Sequence, residues 1–300
     1  MIILGTRESP LALVQARRVE SALQSAQHEK QVKIIPMKTQ GDRLQIPLAD
    51  IGGKYLFTKE LQEALIAGKI DGAVHSLKDV EDHPLGTVLG AFIERQNPFD
   101  VMIIHKDFKD IDRNTKFTIG TCSPRRKLQI MKVYPECIVK DIRGNVGSRL
   151  NKVSEKYVDA IILAKAGLNR LDIFSDYDLN NLHPNLMMVD LPSDIMVPAA
   201  GQGIIVLECA PEKAHLFRCI NNVMVEKIAL TERMFVKAFN GNCRTALSAF
   251  VYSKNAESDD YIMDGFYKNM WKSLVLKDFL HRDLGSLQQG VEKFVSSFKG

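Results

Sequence analysis

Two kinds of hydrophobic pattern alternate along the first two thirds of the chain. Short runs dominated by β-branched residues, such as "VKIIP" and "AIIL", give way to longer stretches in which apolar residues return every third or fourth position. The first pattern predicts buried strands and the second predicts amphipathic helices. Strands are expected at Ile2–Gly5, Val32–Met37, Gly72–His75, Val101–Ile104, Thr118–Gly120, Ile138–Lys140, Ala160–Leu163 and Ile204–Glu208. Helices are expected at Pro10–Ala26, Lys59–Ala67, Pro124–Lys132, Val146–Val153 and Ala214–Phe239, the last broken once. Such alternation indicates an α/β protein. After Cys243 the pattern changes to three strand-like runs, 246–252, 260–266 and 271–276, and a closing helix over 285–298, which together read as a small α+β unit.

Two stretches echo one another. "ILGTRESPLAL" and "TIGTCSPRRKL" each run from a strand through Gly-Thr to a Ser-Pro pair that opens a helix. Ser9 and Ser123 stand where an N-cap belongs, with Pro10 and Pro124 at the first helical position. A weaker echo joins "IDGAVHSLKD" to "VDAIILAKAG". The pair of echoes predicts two similar lobes flanking a cleft, although strand-to-helix turns also resemble one another by chance.

Length and charge narrow the function. A chain of 300 residues suits two or three domains. Its net charge of only +4 argues against a broad nucleic-acid footprint, so any anion must be held by local clusters of arginine. The opening "MIILGTRESP" has no signal-peptide pattern, and no apolar run reaches the ~18–20 residues that span a bilayer, so a cytoplasmic location is expected. Cysteines at 122, 137, 209, 219 and 243 are odd in number, and none shows metal-ligand spacing. Free thiols and no metal are therefore expected. Cys137 and Cys209 lie in strand-like runs and read as core, whereas Cys243 sits in the loop-like composition "FNGNCRTALSAF".

The arginines gather at strand-to-helix junctions. Arg7 accompanies the first Ser-Pro helix start, Arg125 and Arg126 the second, and Arg143 and Arg149 surround the glycines of "DIRGNVGSRL"; Arg170 follows in "AGLNRL". A helix N-terminus offers unpaired N–H groups to an anion, and the guanidinium fork matches a carboxylate. One such arginine would read as a solvated helix end, but five at junctions describe a cleft for several carboxylates or phosphates. Neither a GxGxxG nor a Walker A pattern is present, which disfavours nucleotide phosphate. "AVHSLKDV" ends an apolar strand on Ser76, Lys78 and Asp79. The Lys-Asp pair alone would read as a surface ion pair. Within a cationic cleft, a carboxylate at a strand's carboxyl end suits proton transfer or stabilisation of a cation.

Taken together, "GTRESPLAL", "GGKYLFTKEL", "AVHSLKDV", "GTCSPRRKLQ", "DIRGNVGSRL", "DAIILAKAGLNRL", "VPAAGQGIIVLEC" and "GNCRTAL", collinear from residue 5 to 247, closely resemble the porphobilinogen deaminase (hydroxymethylbilane synthase) family. The resemblance implies three domains: 1–94 completed by 194–213, 95–193, and 214–300 carrying the cysteine loop. The first two would be lobes like those of periplasmic binding proteins. It implies a transferase of tetrapyrrole (haem) biosynthesis that joins four porphobilinogen molecules head to tail with loss of ammonia and then hydrolyses off the linear product, hydroxymethylbilane. A dipyrromethane cofactor bound to Cys243 as a thioether would prime the chain. Asp79 falls on the catalytic position. Ser76, Lys78, Thr121, Ser123, Arg125 and Arg126 fall on cofactor contacts, and Arg7, Ser9, Arg143, Arg149 and Arg170 on contacts to substrate and growing chain. Lys54 matches a lid over the site and Gln202 the hinge-like return to the first domain, both grouped with the substrate contacts. The family further implies a monomer that passes its product to uroporphyrinogen-III synthase. The chain departs from the family pattern at Asn242 beside the anchor, at Cys122 and Pro124, and at Lys165, where an extra cationic contact is expected.

Two rivals stay open on sequence alone. A two-lobed carboxylate-binding module would leave Cys243 without a role. A cysteine-nucleophile transferase would want a histidine base near the thiol, which the loop lacks. A stable two-pyrrole adduct, a bare mass or a substrate-dependent acyl mass would separate the three.

Overall fold

The computed structural model describes residues 1–28, 30–40, 58–81, 86–108, 110–172, 183–241, 245–255 and 257–299. Lys54, Asn242 and Cys243 lie outside the described residues. The chain divides into two compact units, Met1–Gln96 with Gly203–Ala229 and Asn97–Gln202 with Leu230–Gly300.

The first unit is built on strands β1 (Ile2–Arg7), β2 (Val32–Met37), β3 (Gly72–Ser76), β4 (Val88–Arg95) and β10 (Ile204–Cys209), in the sheet order β2-β1-β3-β10-β4. The strands β1, β2 and β3 run parallel, and β10 is antiparallel to both its neighbours. Side chains alternate across this sheet as a period of two requires. Ile2, Leu4, Val74, Ile205 and Leu207 pack with Ala16, Val19 and Leu23 of helix α1 (Pro10–Ala26). On the opposite face, Ala73 and Ile3 meet Leu61, Ala64 and Leu65 of α2 (Lys59–Ile66). Covering both faces explains why these strands read as nearly continuous apolar runs.

The second unit repeats this plan. Strands β5 (Asp100–His105), β6 (Thr118–Gly120), β7 (Ile138–Lys140), β8 (Ala160–Ala164) and β9 (Leu186–Leu191) lie in the order β7-β6-β8-β5-β9. Here β6, β7 and β8 are parallel and β5 is antiparallel to its neighbours. Each five-stranded sheet thus carries three parallel strands, one antiparallel strand and one more, with β1 and β6 in the same position and β3 and β8 in the same position. The two echoes in the sequence are therefore a structural repeat. Helix α3 (Pro124–Val133) covers one face of this sheet, where Ile130 meets Met102 and Ile104, and α4 (Val146–Ser154) covers the other, where Leu150 and Val153 meet Val101 and Ile103.

The third sheet is the antiparallel meander β11 (Leu247–Ser253), β12 (Tyr261–Tyr267) and β13 (Met270–Leu276), followed by α7 (Leu284–Lys299). Phe235, near the end of helix α6 (Val223–Ala238), packs against Phe294 in a tilted arrangement and against Phe298 edge to face, both on α7, at ring distances of 5.7 and 5.6 Å. Gly265 of β12 admits that ring, because a Cβ there would come within 2.7 Å of it.

Four features depart from the sequence reading. Strands β4 and β9 and the short helix α5 (Lys165–Arg170) were not expected. The helix expected from Ala214 is instead two short 3-10 segments, Pro211–Leu216 and Arg218–Ile220, followed by α6. Asn222 restarts the helix there, its Oδ1 accepting from the backbone N–H groups of Met224 and Val225 at 3.1 Å each. Among the described residues, no helix is long and apolar enough to cross a membrane.

Candidate functional site

The parallel strands β1 and β3 of the first unit bring their carboxyl ends to one edge of the sheet, where α/β proteins place ligands. β1 ends on Arg7, and Ser9 caps α1, its Oγ accepting from the N–H of Ala12 at 3.4 Å with Pro10 in the first turn. β3 ends on Ser76 and runs into a single 3-10 turn, Leu77–Asp79, closed by a bond from the Val80 N–H to the Leu77 carbonyl at 3.0 Å. Leu77 is buried and pins this turn, whereas Lys78 is half-buried and Asp79 is exposed. Arg7, Ser9, Gln15, His75, Ser76 and Asp79 line one recess. Gln15, buried on α1, donates its Nε2–H to the Ser76 hydroxyl at 2.7 Å and holds it toward that recess. The recess thus combines a guanidinium, a capped helix start, hydroxyls and one exposed carboxylate. It can take an anion at one end and a positive or N–H-bearing group at the other.

In the second unit the stretch that follows β8, residues 164–167, opens the short helix α5 in place of a 3-10 turn and carries no carboxylate.

In the second unit the same edge carries Thr121, Cys122 and Ser123. Thr121 is buried and its Oγ1 accepts from the Ser123 N–H at 3.1 Å; Ser123 caps α3, accepting from the Arg126 N–H at 3.4 Å. The Cys122 thiol donates to the Ile142 carbonyl at 2.8 Å. Arg125 and Arg126 are buried and converge on one buried carboxylate, Asp100, at the start of β5. Arg125 Nη1 lies 2.7 Å from Asp100 Oδ2, and Arg126 donates Nε–H and Nη2–H to Oδ1 at 3.1 and 2.7 Å. Arg125 also donates to the Val197 carbonyl and Arg126 to that of Ile162, at 2.8 and 2.9 Å. Burial pulls the Arg125 pKa down, opposed by Asp100 and aided by its neighbour Arg126. Gln202, expected among the substrate contacts, is fully buried and donates to Asp100 Oδ1 and to the Pro98 carbonyl, at 3.1 and 2.7 Å. It sits between Gly201 and Gly203, both in the left-handed region at φ 72° and 85°.

The turn before α4 places Arg143 and Arg149 half-buried around Gly144. Asn145 caps α4 by accepting from the Ser148 N–H at 2.9 Å, and Arg149 Nε–H donates to the Gly144 carbonyl at 2.8 Å. Gly144 has φ 117°, and a Cβ there would lie 2.1 Å from the Ser148 hydroxyl, so this turn needs glycine. Arg170 ends α5 and is buried. Lys165, expected as an additional contact to the ligand, pairs with Asp190 at 2.6 Å.

Sequence reading missed Gln15, Asp100, His75 and Glu208. The last two form a buried pair, with His75 Nε2 at 3.1 Å from Glu208 Oε2; Gln62 donates to the other oxygen at 2.8 Å and Thr87 donates to it as well. The available signal was a carboxylate inside an apolar run, "PFDVMII" for Asp100 and "IIVLEC" for Glu208. Among the described residues, no cluster of three or more His, Cys, Asp or Glu could hold a metal ion.

Comparison with known proteins identifies the family. Residues 2–218 match the family described as "Porphobilinogen deaminase, dipyromethane cofactor binding domain". The porphobilinogen deaminase of Synechococcus elongatus is 39% identical over 254 residues, covering 82% of this chain and 76% of that protein. That of Nitratiruptor sp. is 37% identical over 279 residues, covering 92% and 86%. That of Neisseria meningitidis serogroup A is 37% identical over 259 residues, covering 85% and 80%. On these matches over most of its length, the chain belongs to the porphobilinogen deaminase family.

Proposed function

We propose that the chain condenses four porphobilinogen molecules head to tail, releasing ammonia at each addition, and hydrolyses the finished chain to free hydroxymethylbilane. The observation that carries this reading is the recess at the ends of β1 and β3, where an exposed carboxylate, Asp79, stands with Arg7, Ser9 and Ser76. Porphobilinogen has complementary chemistry: two carboxylates, a pyrrole N–H and an amine that departs from a carbon left electron-poor.

The residues fit a dipyrromethane cofactor. Such a group carries four carboxylates and two pyrrole N–H groups, so it calls for several cations and at least one carboxylate. Arg125 and Arg126 bring two positive charges against the single negative charge of Asp100. Thr121 and Ser123 add hydroxyls beside the start of α3. We assign the cofactor carboxylates to Ser76, Lys78, Thr121, Ser123, Arg125 and Arg126, and its covalent attachment to Cys243. When bound, the cofactor supplies the free pyrrole carbon from which the chain grows.

The protein's own contributions follow from placement. Asp79, open to solvent on a pinned turn, accepts a pyrrole N–H and stabilises the positive charge that develops as ammonia leaves. Gln15 keeps the Ser76 hydroxyl oriented. Arg7 with the α1 start, and Arg143, Arg149 and Arg170, hold carboxylates of substrate and growing chain. Lys54 is assigned to a lid and Gln202 to the return of the chain between Gly201 and Gly203. The three-domain division at 1–94 with 194–213, 95–193 and 214–300 belongs to this proposal. So do a cytoplasmic monomer and delivery of the product to uroporphyrinogen-III synthase. The test is intact-protein mass before and after addition of porphobilinogen. A stable two-pyrrole adduct that gains one to four pyrrole masses is expected; a bare mass that never changes overturns the reading.

A further inference from the structure

Asp100 is buried, fully shielded from solvent, and holds two arginines at once. Its two oxygens are divided between them: Oδ2 faces Arg125, while Oδ1 takes both Nε and Nη2 of Arg126 and the amide of Gln202. Both arginines also donate to backbone carbonyls: Arg125 to Val197 through the same Nη1 that faces Asp100, and Arg126 to Ile162 through Nη1, the nitrogen that Asp100 leaves open. These bonds come from β5, β8 and the 197–202 segment, so each guanidinium is held by more than one rigid neighbour. Two positive charges stand against one negative charge. Among these three side chains one positive charge is therefore left over, inside a site that burial makes responsive to charge.

We propose that Asp100 is a positioning residue for ligand recognition. It fixes the planes of Arg125 and Arg126 and, by cancelling only one of their charges, tunes the pair to accept one further carboxylate. This inference rests on the reading that these arginines hold cofactor carboxylates. A neutral residue at position 100 would raise the net charge of the pair but would release its geometry. Geometry should dominate, because a bidentate grip depends on the orientation of the guanidinium plane.

The test uses full-length protein prepared without cofactor and follows, by intact mass, the rate at which it acquires the two-pyrrole mass from porphobilinogen. Asp100→Asn is expected to load at least about tenfold more slowly than wild type while its far-UV circular dichroism is unchanged. Combining it with Arg125→Leu and Arg126→Leu together should slow loading no further than those two changes alone, within about twofold, because Asp100 acts through both arginines. If Asp100→Asn loads at the wild-type rate while Arg125→Leu is slow, or if the two effects multiply, the inference is overturned and the arginine assignment stands. If Arg125→Leu and Arg126→Leu both load normally, the arginine assignment itself fails and takes the inference with it. Should Asp100→Asn not fold, Arg126→Lys keeps the charge and gives up the fork. Slow loading by that variant is expected, and loading at the wild-type rate overturns the inference.

Discussion

His75 and Glu208 meet inside the first unit, Nε2 to Oε2 at 3.1 Å, on the face of β3 and β10 that α2 covers. The site turn Leu77–Asp79 begins two residues beyond His75, so this pair anchors the strand that delivers it. Burial pushes the Glu208 carboxyl up, but hydrogen bonds from His75, Thr87 and Gln62 and the charge of His75 outweigh it and hold the group below its ordinary value of 4.5. A depressed folded pKa contributes stability above the unfolded value and loses it as pH falls through the folded one. Glu208→Gln should therefore destabilise the protein by about 1–3 kcal/mol near neutral pH, the scale of leaving buried hydrogen-bonding partners unsatisfied. That deficit should shrink progressively below about pH 4.5. Urea unfolding of both proteins across pH 3 to 7 checks this, and a deficit independent of pH would contradict it.

Asp79→Asn preserves the shape of the exposed side chain and removes its charge. Turnover should fall about a thousandfold or more, while the two-pyrrole mass stays on the purified protein. Retention of a tenth of wild-type turnover would reject the assignment. Folding should be spared, since Asp79 is exposed on a turn that buried Leu77 pins.

The arginines should divide by role. Arg125→Leu or Arg126→Leu leaves Asp100 paired with the remaining arginine and cancels the surplus positive charge, and should yield mostly cofactor-free protein. Arg7→Leu or Arg149→Leu removes a half-buried charge and should keep the cofactor but stall elongation at early adducts, each lost charged contact costing ~2–5 kcal/mol. Indistinguishable adduct ladders from the two pairs would remove the division.

Thiol labelling offers a simple check on the core. Cys209 is fully buried at the end of β10, and burial followed by the charges of Glu208 and Glu212 pushes its pKa up to about 11. Burial raises that of Cys137 too. Cys219 is exposed; it accepts a bond from the Gln27 amide at 2.9 Å and donates to the Leu216 carbonyl at 3.7 Å. Brief alkylation near neutral pH should label Cys219 and leave Cys137 and Cys209 unmodified until the protein is unfolded. Early labelling of Cys209 would show that β10 opens readily.

What could be read from the sequence was whatever local pattern encodes. Helix α1 lies where its cap and periodicity put it, from Pro10 to Ala26, and Ser123 and Pro124 open α3 as their types dictate. The missed strands explain themselves. β4 carries Gly90 in its middle, β9 is rich in methionine and carries Asp190, and neither shows a run of β-branched residues. Helix α5 has only six residues and no side-chain cap, so it leaves little periodic signal. The arginines and Asp79 stood out because they sit at the ends of predicted elements. Asp100 and Glu208 did not, since their partners lie on other elements: Arg126 is 26 residues from Asp100, and Gln62 is 146 from Glu208. A buried charge becomes intelligible only when the fold brings in its counter-charge.

The same limit bears on which thiol carries the cofactor. Cys243 and Cys122 both belong to segments of the family pattern, and Cys122 sits beside a helix start, where thiols gain reactivity. Its setting argues against it nonetheless. The Cys122 thiol is half-buried and already donates to the Ile142 carbonyl at 2.8 Å, in a turn whose neighbours Thr121 and Ser123 are committed to one another and to the cap of α3. A serine hydroxyl can make the same bond to a carbonyl, so Cys122→Ser should change turnover less than about twofold and stability by under about 1 kcal/mol. Cys243→Ser should abolish the two-pyrrole mass and activity together, because an alkoxide is not accessible near neutral pH as a thiolate is. Peptide mapping of the wild-type adduct decides between them. The pyrrole mass is expected on the peptide containing Cys243, and finding it on the peptide containing Cys122 would overturn the attachment on which the proposed chemistry depends.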